Sequence, residues 1–90
     1  MVYASMKNEQ LWEVYIIKTK SGKLYTGITK NLDKRFKAHQ NGPTGARFFR
    51  ISSPDAIIYR EPQQNRSLAS KRECEIKKMN RLQKLALCLS

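Results

Sequence analysis

Acidic side chains are scarce in this chain: its 90 residues hold seven Asp and Glu against eighteen Lys and Arg, for a formal net charge of +11. A surplus of that size draws a protein to polyanions before any specific contact forms, which makes nucleic acid the first partner to consider. Long apolar runs are missing too. No stretch approaches the roughly 18 apolar residues of a membrane span, the N-terminus lacks the apolar core of a secretory signal, and no strongly amphipathic basic helix suggests a lipid surface. No membrane partner is expected, and the cytoplasm is the expected compartment. With two cysteines, Cys74 and Cys88, and one histidine, His39, neither a disulfide framework nor a tetrahedral zinc site can be built. Cys88 between two leucines reads as a small apolar residue, and Cys74 has no nearby histidine to make it a nucleophile.

Length fits one domain with a single modest core. Residues 1–10 have no sustained periodicity and read as a flexible leader, leaving 11–90 as the folded domain. Leu11 to Lys18 and Leu24 to Ile28 are rich in β-branched and aromatic residues, and the intervening Thr19-Lys20-Ser21-Gly22-Lys23 makes them a hairpin. The turn decides where Tyr15 and Tyr25 point, because one residue of register moves a side chain to the other face. A three-residue loop Lys20-Ser21-Gly22, with Gly22 in the left-handed region, pairs Ile17 with Tyr25 and Tyr15 with Gly27. Both phenols then share a face, with room beside Tyr15 at Gly27. A two-residue Ser21-Gly22 turn would instead separate them.

Asn31 can cap a helix running to about Gln40, with Leu32 and Phe36 as its apolar stripe and Arg35 and His39 one turn apart along the border. Residues 43–54 read as an irregular basic segment in which Arg47 and Arg50 flank Phe48 and Phe49, a composition suited to backbone and base contacts. A third strand is expected around Ala56 to Tyr59, ending at Glu61-Pro62. Asn65 or Ser67 can open a helix through about Met79, and a short helix over Arg81 to Leu89 follows a break at Asn80. The order β-β-α-β-α-α predicts an α+β domain.

Four stretches occur in series: Glu13-Val14-Tyr15, Tyr25-Thr26-Gly27, Asn31-Leu32-Asp33-Lys34-Arg35-Phe36 and Arg72-Glu73-Cys74-Glu75-Ile76-Lys77. From about Trp12 to Leu87 the chain thereby resembles a GIY-YIG nuclease domain, most closely the small stand-alone bacterial members grouped with the UvrC N-terminal and intron-encoded nucleases. The resemblance implies a three-stranded antiparallel sheet with helices packed on it and a catalytic site of Tyr15, Tyr25, Arg35, His39 and Glu73. In that scheme the tyrosines orient or deprotonate water, Arg35 holds the scissile phosphate, His39 assists proton transfer, and Glu73 ligates one Mg²⁺ or Mn²⁺. The chemistry wants these types independently, since in-line phosphodiester hydrolysis needs a positioned water, charge stabilisation on the phosphoryl oxygens and help for the leaving oxygen. A phenol with an ordinary pKa of about 10 becomes a base near neutrality only if its surroundings favour phenolate. The sequence does not choose between the two tyrosines.

Two positions depart from the pattern: Glu13 stands where the first motif has glycine, and Ile28 where UvrC-like domains have lysine. Lys18 or Lys30 can supply the missing charge, and Lys18, Lys30, Lys34, Arg47 and Arg50 are the expected nucleic-acid contacts. Each residue also has an ordinary reading. Tyrosines are common on amphipathic strands, an arginine stem can cover apolar surface, Glu73 can pair with Lys77 four residues on, and His39 can serve a helix C-terminus. Taken together, the sequence predicts a monomeric, metal-dependent DNA endonuclease acting in DNA repair or recombination, alone or with a targeting protein. The alternatives are a non-catalytic nucleic-acid-binding module on the same fold and, more remotely, a small ribosome-associated basic protein.

Overall fold

The computed structural model describes residues 11–40 and 53–89. The leader expected over residues 1–10, and the basic segment carrying Arg47 and Arg50, lie outside the described residues. Three strands, β1 (Trp12–Thr19), β2 (Leu24–Thr29) and β3 (Pro54–Gln63), and three helices, α1 (Leu32–Gln40), α2 (Arg66–Lys77) and α3 (Arg81–Leu89), follow in the order β-β-α-β-α-α. The strands form one antiparallel sheet in the order β2-β1-β3. No helix among the described residues is long and apolar enough to cross a membrane.

The central strand explains the layering. Val14, Tyr15, Ile16 and Ile17 are consecutive and all at most 1% exposed, which requires cover on both faces of β1 because successive side chains point opposite ways. On one face Val14 and Ile16 pack with Ala69 and Ile76 of α2 and, at the margin, with Leu87 and Cys88 of α3. On the other, Tyr15 and Ile17 pack with Leu32 and Phe36 of α1. Each of these fully buried aliphatic side chains contributes about 1.5–3 kcal/mol relative to an exposed one.

The hairpin has the three-residue loop that the sequence predicts. Gly22 adopts φ +91°, the Gly22 amide donates to the Thr19 carbonyl at 2.9 Å, and the Thr19 amide donates to the Lys23 carbonyl at 2.9 Å. The register is Tyr15 opposite Gly27 and Ile17 opposite Tyr25, so the phenols share the α1 face.

Asparagine opens all three helices. The Asn31 side chain accepts from the Lys34 amide at 3.1 Å, and Asn65, extended at φ −153°, accepts from the Leu68 amide at 2.9 Å. Asn80, which in the sequence reads as a mere break, forms a reciprocal capping box. Its Oδ1 accepts from the Gln83 amide at 2.8 Å while Gln83 Oε1 accepts from the Asn80 amide at 2.9 Å. Strand β3 is longer than expected and runs through Glu61-Pro62, with Pro62 opposite Glu13. It lies at the sheet edge, where a proline can leave its missing donor on the unpaired side.

The Tyr15 ring lies close over Gly27. A Cβ at residue 27 would stand 2.6 Å from the Tyr15 Oη and 2.7 Å from its Cζ. Gly27→Ala is therefore expected to cost about 1–3 kcal/mol through overpacking, and less in a Tyr15→Ala background. Urea denaturation of the four proteins of that cycle checks this; strictly additive losses would show that the ring does not dictate glycine.

Candidate active site

Four of the residues singled out from the sequence converge on the α1 face. The Tyr15 hydroxyl lies 3.3 Å from His39 Nε2. The Tyr25 ring is 6.3 Å from that of Tyr15 and meets the His39 ring edge-on at 5.6 Å. Arg35 lies one helical turn before His39 and acts on both Tyr15 and His39 through its charge. Local rules explain the convergence: residues 35 and 39 are four apart on α1 and share its face, the Asn31 cap fixes where that helix starts, and the hairpin register fixes the phenols. His39 is 3% exposed, so it is a buried partner of the tyrosines and not a solvated group at a helix end.

Glu73 comes from α2. It sits between the buried Ala69 and Ile76, its side chain is 22% exposed, and it bonds Lys77 at 3.1 Å. The ordinary i,i+4 pair is thus present, yet the carboxylate is also close enough for its charge to act on the Tyr15 phenol. Helix α2 is fixed to the sheet by a group that sequence patterning missed. Arg72 Nε donates to both carboxylate oxygens of Glu61 at 3.1 Å and its Nη1 to Glu75 Oε1 at 3.1 Å, while Tyr59 and Gln63 also donate to Glu61. Burial pushes the Glu61 carboxyl up, but these donors outweigh it and hold the group below the usual carboxylate range. Arg72 is Glu73's neighbour, so the network sets the rotation of α2 that presents Glu73. The signal was available only weakly, as Glu61 beside a proline at an assumed strand end.

Of the expected nucleic-acid contacts, Lys30 and Lys34 line a groove of about 460 Å³ together with Thr29, Asn31, Arg35 and Ala38. The structure does not bring Lys18 to this groove: it follows Ile17 on β1 and so points to the opposite face from Tyr15, where it pairs with Asp55 at 2.9 Å. Glu13, at the position where the first motif has glycine, takes a bidentate bond from Arg60 at 2.8 and 3.0 Å.

The electrostatics favour uncharged forms at the centre. Burial, with Tyr25 adding to it, pushes the Tyr15 phenol up to about 12; Glu73 contributes in the same direction and the Arg35 guanidinium opposes them. Burial, then the Arg35 charge, lowers His39 to about 4. Near neutral pH the pair is a neutral phenol bonded to a neutral imidazole.

A histidine held below its ordinary value of about 6.5 binds its proton more readily in the unfolded chain. Its contribution to stability is fully present above pH 6.5 and is lost as pH falls toward 4. The single histidine resonance is expected to titrate near pH 4 in the folded protein and near 6.5 in urea. A folded-state midpoint near 6.5 would contradict the buried neutral imidazole.

A family of GIY-YIG catalytic domains matches residues 11–86. The chain is 49% identical over 77 residues to a UPF0213 protein of Clostridium perfringens, covering 86% of this chain and 82% of the relative. It is 42% identical over 82 residues to a UPF0213 protein of Photorhabdus laumondii (89% and 78%) and 40% identical over 75 residues to one of Xanthomonas axonopodis (83% and 72%). No solved structure matches the chain. The series of motifs, the three-stranded sheet and two helices that carry them, and these matches agree, and the chain belongs to the GIY-YIG family of nuclease domains.

Proposed function

We propose that this protein is a metal-dependent endonuclease that hydrolyses phosphodiester bonds of DNA, and that Tyr15, Tyr25, Arg35, His39 and Glu73 form its active centre. The observation that carries the reading is the buried 3.3 Å contact between the Tyr15 hydroxyl and His39 Nε2, with the Arg35 guanidinium beside it. The ordinary role of a strand tyrosine gives no reason for a neutral histidine on its hydroxyl and an exposed arginine at the groove mouth.

The chemistry follows from those groups. Arg35, exposed at the groove, binds the scissile phosphate and offsets charge that grows on its oxygens in the transition state. Tyr25, the more open of the two phenols, orients the attacking water. With a pKa near 12, Tyr15 is a poor source of free phenolate at neutral pH, but it need not ionise. As the water loses a proton to the Tyr15 oxygen, the phenol proton passes to His39 Nε2; the ring is neutral at that pH, and this role requires its Nδ1–H tautomer. This assigns the base to the Tyr15–His39 pair.

Among the described residues, no three His, Cys, Asp or Glu side chains group to hold a metal. One partly exposed carboxylate suits a hard cation such as Mg²⁺ or Mn²⁺, which keeps several waters and is often held by one or two carboxylates plus substrate phosphate. Glu73 would hold it, exchanging Lys77 for the ion. When bound, such an ion supplies charge neutralisation at the phosphoryl and leaving oxygens.

Lys30 and Lys34 extend the positive groove along the strand, with Arg47 and Arg50 assigned the same task from the sequence. The resemblance to UvrC-type domains supports a place in DNA repair or recombination in the cytoplasm. A monomer of this size has little surface for base readout, so a partner protein supplies the targeting.

The decisive experiment is cleavage of end-labelled single-stranded, duplex and flap DNA with Mg²⁺, Mn²⁺ or EDTA. Arg35→Ala and Tyr15→Phe are expected to lose about 10²-fold or more in rate, and Glu73→Ala to bind DNA without cutting it. Binding with equal background in wild type and Glu73→Ala would sink the catalytic reading and leave a binding module.

A further inference from the structure

We propose that Trp12, flanked by Lys30 and Arg66, is a stacking subsite that holds one unpaired base of a bound nucleic-acid strand beside the catalytic groove. The proposal rests on the nuclease reading for the direction of the strand, although its own chemistry is binding alone.

Trp12 is the only tryptophan of the chain. It opens β1 just beyond the Glu13–Thr29 pair, at the sheet end where β2 gives way to Lys30 and Asn31. Its ring is half-buried, packed against the core cluster of Val14, Ile16, Ala69 and Ile76. The Lys30 Nζ and the Arg66 Cζ each lie 5.7 Å from the ring centroid. That distance is near the outer limit of about 6 Å for a cation–π contact, so both cations are held loosely enough to yield to a flat partner.

Charge accounting points the same way. Of the six carboxylates among the described residues, Glu13, Asp55, Glu61, Glu73 and Glu75 are engaged with other cations, and the sixth, Asp33, acts through its charge on Arg60. Neither Lys30 nor Arg66 forms an ion pair among the described residues, and both stand exposed over an aromatic ring. An aromatic face flanked by two exposed cations suits a base with its adjoining phosphates, because bases stack on rings and on guanidinium planes while phosphates take up the charge.

Lys30 joins this corner to the active centre. It lies over Trp12 and also lines the groove that holds Lys34 and Arg35. A strand whose phosphate sits on Arg35 can therefore run past Lys34 and Lys30 and deliver a neighbouring base to Trp12. A base still paired in a duplex cannot offer its face in this way. The simpler role, a ring that only caps the core, requires apolar volume at residue 12 and no particular response to nucleic acid.

The test uses the full chain in EDTA, which prevents metal-dependent cutting, with a labelled short oligothymidylate and a labelled blunt duplex. Binding is followed by anisotropy and the environment of residue 12 by tryptophan emission. The single strand is expected to quench the emission on saturation, and the duplex to leave it unchanged. Trp12→Phe should bind the oligothymidylate within about twofold of wild type, and Trp12→Leu about tenfold more weakly, the loss of one base stack. Arg66→Gln, an exposed change that leaves the core intact, should also weaken single-strand binding several-fold. Unchanged emission at saturation, or wild-type affinity in a folded Trp12→Leu protein, overturns the subsite. If Trp12→Leu does not fold, the emission and Arg66→Gln decide. The two readings fail separately: metal-dependent cleavage without an emission change removes the subsite and keeps the nuclease, whereas quenching without cleavage does the reverse.

Discussion

The contact of the Tyr15 ring with the backbone at Gly27 is the constraint on which the rest of the site depends. The phenol occupies the space where a side chain at residue 27 would stand, so ring and strand are fixed together as a unit. Turn geometry, register and burial all act through this contact. Gly22 sets the loop, the loop sets Tyr15 opposite Gly27, and the absent Cβ leaves the space that the ring fills. From that position its hydroxyl meets His39. A slip of one residue would carry the phenol to the α2 face and leave the imidazole buried without it.

Around this anchor the protein separates its charge. The chain is strongly basic, yet the groups in contact at the centre, Tyr15 and His39, are both driven toward their neutral forms by burial. Arg35 reinforces that for the histidine and resists it for the tyrosine, as one cation must when one partner ionises to a cation and the other to an anion. Uncharged donors and acceptors inside, with cations at the rim, suit a site that must attract a polyanion and still move a proton. In the proposed function, charge at the rim would attract the strand, and low solvation within would let the phenol–imidazole bond relay a proton.

The two helical layers contribute unequally to the proposed site. Helix α1 supplies two of the central groups on one face through the i,i+4 rule, and its placement needs only a cap and an apolar stripe. Helix α2 lies on the other side of the sheet and contributes one carboxylate, whose presentation depends on the Arg72–Glu61 network holding the helix to β3. The same sheet end brings Trp12 of β1 against Lys30 of the β2–α1 connection and Arg66 of α2, three residues that no local pattern would associate.

Sequence alone determined whatever follows from short-range rules. Alternation and the position of Gly22 fixed the hairpin register, asparagines marked two helix starts, and the 35/39 spacing placed a guanidinium and an imidazole together. The series of motifs named the family. Long-range packing decided the remainder. Nothing local showed that β1 would be covered on both faces, that Pro62 would fall within an edge strand, that Lys18 would pair with Asp55, or that Glu61 would gather Arg72, Tyr59 and Gln63. Nor does spacing tell how deeply His39 is buried, and its depressed pKa is a property of that burial. Hydrogen bonds between residues close in sequence are specified by the chain itself, whereas desolvation and contacts across the sheet exist only once distant segments have met.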